Sequence, residues 1–234
     1  MKIWAISDIH FSEGLNSSMS AFGPIWKNHP EKIVTNWRDC VGPSDLVLLA
    51  GDLSWVKTFE KGLVFLRQLS ALPGKNKIII PGNHDIWWTD DQKIKKMAPK
   101  SIVPLHGSAV KIENQVFCGT CGWHAPNDPH FDNFDRKFFD IEMQLLRNSL
   151  EEATKLEPEQ GIHVLLHFPP FSSLGEKTLF FDLLKEYPVT SCIFGHFHLK
   201  EEWDKTPLGK IDGINCYLTS SDFLAHRPIE IKTL

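Results

Sequence analysis

Short apolar runs alternate with longer amphipathic stretches along the chain. Each apolar run ends at a polar residue or a glycine and predicts a buried strand; these runs lie at 2–6, 45–51, 77–80, 163–167 and 191–195. The stretches between them carry apolar residues at helical spacing. They predict helices near 30–40, 57–70, 88–98, 138–155 and 177–186.

Two further pairs of short runs predict β-hairpins. The first joins 108–112 to 115–120 through Glu113-Asn114, and the second joins 208–211 to 214–219 through Asp212-Gly213. Strands and helices in this order are typical of an α/β fold whose strands are buried on both faces. For 234 residues we expect one domain, covering 1–234.

Composition and charge limit the classes of function. Hydrophobic residues make up 42% and charged residues 23%, as in ordinary globular proteins. The formal charge of -4 offers no basic field for nucleic acid, although a local patch could still bind one. No apolar run is long enough for a membrane span, so we expect no membrane partner. Five scattered cysteines, an odd number, favour a reduced, cytoplasmic location.

Chemically versatile side chains follow each of the five predicted strands. In α/β folds, ligands gather outside the carboxyl ends of the strands. If the backbone stays extended, residues two positions apart point to the same side. The side chains concerned are Asp8 and His10, then Asp52, then Asn83, His84 and Asp85, then His167, and finally His196 and His198.

Taken one at a time, these residues have a plain structural explanation. The stretch "PGNHD" at 81–85 has the composition of a turn, and an aspartate after a strand is usually a turn or cap residue. A single histidine is more often a core or surface residue than a ligand. The recurrence of aspartate, asparagine and histidine at five strand ends favours a functional site.

The types of side chain indicate a metal centre. Imidazoles, carboxylates and one amide oxygen, without thiolates, suit Mn, Fe, Co or Zn. The seven candidate ligands are too many for one tetrahedral ion but suit two ions that share one carboxylate. Asp52 is the natural bridge because it follows a middle strand. Two ions that share a hydroxide can hold a phosphoryl group during in-line displacement. The candidate ligands are Asp8, His10, Asp52, Asn83, His167, His196 and His198.

The ordered motifs resemble those of the calcineurin-like metallophosphoesterase family, in particular its small bacterial members. The blocks are "DIH" from residue 8, "GD" from 51, "GNHD" from 82, His167 and "GHFH" from 195. The resemblance implies a four-layer α/β/β/α sandwich of mixed sheets and a dinuclear centre. It implies one ion held by Asp8, His10, Asp52 and His198, and another held by Asp52, Asn83, His167 and His196.

The resemblance also implies the catalytic roles and the reaction. His84 would face the substrate phosphate, where it stabilises charge or protonates the leaving oxygen, and Asp85 would orient His84. A hydroxide bridging the two ions would be the nucleophile of a phosphodiesterase or phosphatase acting on a small phosphoester. The stretch "HFPPF" is similar to the His-x-Pro-Pro of phosphodiesterases in this superfamily, and "GDLSWVK" lacks the arginine of its protein phosphatases. We therefore expect a diester rather than a monoester.

Two alternative functions remain open at this point. DNA-processing nucleases of the superfamily share these blocks, although this chain has no basic stripe. A catalytically silent metal-binding scaffold is the other alternative, although such proteins tend to lose residues that are all present here. The natural substrate, the metal identities and the oligomeric state do not follow from the sequence.

Several residues outside the blocks need interpretation. The irregular, His- and Phe-rich stretch at 122–139 is either a loop over the metal site or an ordinary surface loop. Trp123, His124 and Arg136 are its candidates for substrate contact. Trp87 and Trp88 could wall a pocket, although packing at a helix entry is the simpler interpretation. Outside the blocks, we interpret several histidines as structural or surface residues, namely His29, His106, His163 and His226.

Overall fold

Two β-sheets organise the chain, and each is the centre of its own compact unit in the computed structural model. The structure describes residues 1–12, 19, 22–129 and 131–232. The first unit comprises Met1–Pro104 and the C-terminal residues from Thr219, and the second unit comprises Leu105–Leu218. The division follows the sheets and not the chain order, because the C-terminal segment returns to the first unit.

The described residues form eleven strands and six α-helices. In chain order the strands β1 to β11 are Ile3–Ile6, Leu46–Ala50, Asn76–Ile80, Ile102–Pro104, Ser108–Ile112, Gln115–Thr120, Ile162–Leu166, Val189–Phe194, Gly209–Ile211, Ile214–Leu218 and Ile229–Ile231. The helices α1 to α6 are His29–Cys40, Phe59–Ser70, Asp91–Met97, Asn133–Lys155, Leu179–Lys185 and Lys200–Lys205.

The sheet of the first unit has the order β11-β1-β2-β3-β4. β1 to β4 are parallel, and β11 adds an antiparallel edge to β1. All five residues of β2 are buried, as expected for a parallel strand covered on both faces. Apolar side chains of α1 and α2, such as Trp37 and Leu66, pack with Ile79 of β3 in one core. This arrangement brings the carboxyl ends of β1, β2 and β3 to one edge.

The sheet of the second unit has the order β5-β6-β7-β8-β10-β9. The four inner strands are parallel, and the outer strands β5 and β9 each form an antiparallel hairpin with their neighbour. Both predicted turns contain residues in the left-handed region, with φ of 54° at Glu113 and 46° at Asp212. Gly213, at φ 93°, completes the second turn without a Cβ penalty.

The predicted α/β class with mixed sheets is confirmed, as are both hairpins. The sequence did not predict β4, β11 or α6, which are only three to six residues long. Helix α4 begins five residues before its predicted start because Asp132 caps it, accepting bonds from the amides of Phe134 and Asp135. The single domain and the four-layer order of helices and sheets stay predictions. None of the helices in the described part of the chain has the length and hydropathy needed to cross a bilayer.

Candidate metal centre and active site

The loops after β1 and β2 bring three predicted ligands together in the first unit. Asp8, His10 and Asp52 are all buried. Ligand atoms of Asp8 lie within 4.8 Å of those of His10 and of Asp52. The Nε2 atom of His10 lies 3.8 Å from Oδ2 of Asp52. Neighbouring parallel strands thus place two carboxylates and an imidazole at one edge of the sheet.

The backbone at these three residues is left-handed. The φ angles are 53° at Asp8, 45° at His10 and 50° at Asp52, a region that residues other than glycine seldom adopt. Backbone hydrogen bonds hold this conformation: Asp8 N donates to Gly51 O at 3.0 Å and His10 N to Asp52 O at 3.0 Å. The prediction that Asp8 and His10 share an extended backbone is therefore wrong. Strained conformations of this kind cluster at functional sites.

Asp52 also receives support from the turn that follows β3. The amide of His84 donates to Oδ1 of Asp52 at 2.9 Å. A Cβ atom at Gly82 would lie 2.2 Å from the same oxygen and 2.3 Å from the Asp52 amide nitrogen. Only glycine permits this close approach. The half-buried Asn83 lies between these two residues of the turn.

Asp85 makes different contacts from those predicted for it. Its buried carboxylate accepts from the amides of Leu53, Ser54 and Gly82 at 2.9–3.0 Å, and from Nε1 of Trp87 at 3.0 Å. His84 is not one of these four donors, and the orientation of His84 by this carboxylate stays a prediction. Burial raises the pKa of Asp85 to about 6, and the hydrogen bonds act in the opposite direction. Four N–H groups donate to this carboxyl group, which joins two loops.

His84 lies beside this cluster with its side chain 42% exposed. Its Nε2 atom is 4.0 Å from Oδ2 of Asp52. The ring centroid of His84 lies 5.8 Å from that of His10 and 4.2 Å from that of Trp55. Sequence reasoning did not single out Trp55, although it comes three residues after Asp52. Its aromatic character and its place directly behind the "GDLS" stretch were the only signals available.

Trp87 belongs to the core and not to a pocket wall. Its side chain is fully buried, and a Cβ atom at Gly62 of α2 would lie 2.1 Å from its ring. The expected packing at a helix entry is confirmed for this residue. Trp88 is half-buried and donates from Nε1 to Asp91 at 2.6 Å, at the start of α3.

The second unit holds the remaining three predicted ligands. His167 follows β7 and is fully buried, and its ring centroid lies 5.1 Å from that of His196, which follows β8. The amide of Gly195 donates to His167 O at 3.1 Å and joins the two loops. His196 has a φ of 70°, so the backbone is not extended at this residue either. His198 precedes α6, and its amide donates to the carboxylate of Glu202 at 3.1 Å.

The loop before α4 separates its three candidates for substrate contact. Trp123 donates from Nε1 to Asp135 at 2.8 Å and stacks on Phe138. Arg136 lies 4.9 Å above the ring of Phe131. Both are therefore engaged in packing within the second unit. His124 lies 5.7 Å from His196, ring centroid to ring centroid, beside a small cavity. His130, in the same stretch, lies outside the described residues.

The residues of the first unit fit a divalent cation. Two buried carboxylates so close together repel each other, and a bound cation removes that cost. Carboxylate oxygens and an imidazole nitrogen are suitable ligands for Mn, Fe, Co or Zn. The fit rests on the buried oxygens of Asp8 and Asp52.

Comparison with known proteins identifies a family. The sequence profile described as calcineurin-like phosphoesterase matches residues 1–200, a range that includes all seven predicted ligands. None of the curated proteins has a sequence that matches this chain significantly.

Two solved structures resemble the chain at low sequence identity. A protein of unknown function from Aquifex aeolicus has 18% identity and a TM-score of 0.51, over 98% of this chain and 95% of its own. This similarity concerns the fold alone. A novel archaeal phosphodiesterase has 16% identity and a TM-score of 0.43, over 100% of both chains. A similarity that low supports no conclusion about activity.

Proposed function

The chain belongs to the calcineurin-like phosphoesterase family, and we propose that it hydrolyses a phosphodiester with two metal ions. Metal-dependent hydrolysis of a phosphate ester follows from the family itself. The preference for a diester is supported by "HFPPF" at 167–171 and by Val56, where an arginine would clamp a monoester dianion. We infer a small phosphoester as the substrate.

The two ions would be held by the seven strand-end ligands, with Asp52 shared between them. Mn, Fe, Zn and Co all suit this set of nitrogen and oxygen donors. When bound, the ions supply an activated water as the nucleophile and positive charge beside the phosphate. One ion is assigned to Asp8, His10, Asp52 and His198, and the other to Asp52, Asn83, His167 and His196.

The protein's own groups have distinct roles in this proposal. His84 presents a partly exposed imidazole, which donates a hydrogen bond from Nε2 to the phosphate or a proton to the leaving oxygen. Asp85 acts indirectly, because its carboxylate holds the amides of Leu53 and Ser54 against the turn at Gly82. Asp85 is therefore a positioning residue and not a catalytic one.

The observation that carries the proposal is the pair of buried carboxylates. Carboxylate oxygens of Asp8 and Asp52 lie within 4.8 Å of each other at one edge of the first sheet, and both residues have a left-handed backbone. Two buried negative charges this close together would destabilise the fold without a cation, so their proximity favours a role in binding one.

We also propose a cytoplasmic location, because all five cysteines are free thiols.

The test compares the wild-type protein with Asp52→Asn. With Mn added after metal stripping, the wild type should hydrolyse bis(p-nitrophenyl) phosphate faster than p-nitrophenyl phosphate. Asp52→Asn should lower this activity at least about a hundredfold, because the shared ligand loses its charge. Asp90→Asn, which changes an exposed cap of α3, should leave the activity unchanged.

A second measurement is independent of turnover. Mn binds the folded state only, so it should raise the thermal unfolding midpoint of the wild type and much less that of Asp52→Asn. Full activity in Asp52→Asn would remove this residue from the centre. Cleavage of single-stranded DNA at low protein concentration would instead favour a nuclease.

A further inference from the structure

Trp55 lies between two rings of the proposed centre. Its ring stacks on His10 with a centroid distance of 5.3 Å and an interplanar angle of 25°. It also contacts His84, with a centroid distance of 4.2 Å and an angle of 41°. One aromatic side chain therefore touches both a buried predicted ligand and the residue assigned to the phosphate.

The backbone around Trp55 is held from two sides. On one side, its amide donates to Phe11 O at 2.9 Å, and the amide of Phe11 donates to Leu53 O at 3.1 Å. The hydroxyl of Ser54 also donates to Phe11 O, at 2.7 Å. On the other side, Asp85 accepts from the amides of Leu53 and Ser54. The indole is thus a fixed surface beside the centre.

His84 needs such a surface. Its side chain is 42% exposed, and misplacement of a catalytic group by about 1 Å can lower a rate about a hundredfold. The face of Trp55 restricts the imidazole to one side. We propose that Trp55 is a positioning residue for hydrolysis, which holds His84 in the orientation that meets the phosphate. This inference rests on the proposed function.

The side chain of Trp55 contributes its ring face and not a hydrogen bond. Nε1 of Trp55 is buried and has no hydrogen-bond acceptor in the described part of the chain. An orphan donor of this kind is rare in a folded protein. The contribution of Trp55 therefore comes from its flat face, and another flat ring should replace it.

The first experiment measures kcat and KM with bis(p-nitrophenyl) phosphate and Mn. Trp55→Ala should lower kcat about tenfold, a fraction of what general acid–base catalysis contributes, with little change in KM or in bound metal. Trp55→Leu, which keeps apolar volume without a flat face, should show the same loss. Trp55→Phe should retain kcat within about twofold, because a flat ring remains beside His84. Trp88→Ala, the matched control, should leave kcat unchanged.

The second experiment is a double-mutant cycle with His84→Asn. If Trp55 acts through His84, Trp55→Leu should cause no further loss of kcat in the His84→Asn protein. The same fold-loss in both backgrounds would overturn the inference, as would an unchanged kcat in Trp55→Leu. If Trp55→Leu lowered both kcat and the amount of bound metal, the inference would also be overturned, because this would indicate an effect through His10. A wild type without metal-dependent turnover would overturn the proposed function itself.

Discussion

At the scale of single residues, Asp85 joins two loops that lie far apart along the chain. Its hydrogen bonds to the amides of Leu53 and Ser54 span 32 and 31 positions, whereas its bond to Gly82 stays within its own turn. Charged acceptors form stronger hydrogen bonds than neutral ones, and a buried amide without a partner is costly. This one carboxylate therefore stabilises the loop that presents Asp52 and Trp55.

Replacing Asp85 by asparagine should destabilise the first unit. The side-chain amide introduced by this substitution would turn an NH2 donor towards backbone N–H donors, so at least one buried amide would lose its acceptor. We expect Asp85→Asn to lower the free energy of unfolding by about 2–3 kcal/mol in urea denaturation. Asp90→Asn is the matched control and should change it by less than about 0.5 kcal/mol, because Asn caps helices as well as Asp. Equal effects of the two substitutions would contradict this role.

At the scale of secondary structure elements, a polar network joins three parallel strands of the second unit. His163 of β7 bonds through Nδ1 to the hydroxyl of Ser191 on β8, at 2.6 Å, and through Nε2 to the side chain of Gln115 on β6, at 2.7 Å. The histidine is buried, which confirms its interpretation as a structural residue. Burial lowers its pKa to about 4.

This histidine should make stability depend on pH. Above the unfolded-state pKa of about 6.5 the ring is neutral in both states, and the network contributes fully. As the pH falls from there towards 4, the unfolded chain binds a proton that the folded chain resists, so stability decreases. When the pH is lowered from about 7 to about 4.5, the free energy of unfolding in urea should decrease by about 2 kcal/mol less for His163→Gln than for the wild type. Parallel pH profiles for the two proteins would contradict this expectation.

At the scale of the whole molecule, the C-terminal segment completes the first unit. β11 pairs with β1 at the edge of the sheet, with Ile231 opposite Ile3, and Ile231 is buried. Without β11, the hydrogen-bonding edge of β1 would be open to other chains. The last strand therefore contributes both stability and protection of an edge.

Truncation after Pro228 should expose that edge. We expect the free energy of unfolding to decrease by about 3 kcal/mol, because Ile231 and the ladder hydrogen bonds are lost, and we expect self-association in size-exclusion chromatography. Glu230→Gln, which removes only the exposed ion pair with Lys2 at 2.8 Å, should leave the free energy of unfolding almost unchanged. A stable, monomeric truncated protein would contradict the proposed role of β11.

Much of the fold follows from local pattern. The fully apolar run of β2 and the Asp212-Gly213 turn carry their own signals, because burial and turn geometry act on neighbouring residues. Asp8 and Asp52 could be recognised as candidates because polar residues recurred behind apolar runs. Short elements such as β11 carry too few residues for such a signal, and only pairing with β1 defines it as a strand.

The order of residues along the chain was enough to identify which chemical groups the strand ends offer, and so the family. The positions and orientations of these groups depend on the tertiary structure. The left-handed backbone at Asp8 and His10, the bonds of Asp85 to the loop before Trp55, and the ring contact of Trp55 with His84 all require contacts between distant segments. Such contacts outweigh local preference, because several hydrogen bonds and buried faces act together on one residue.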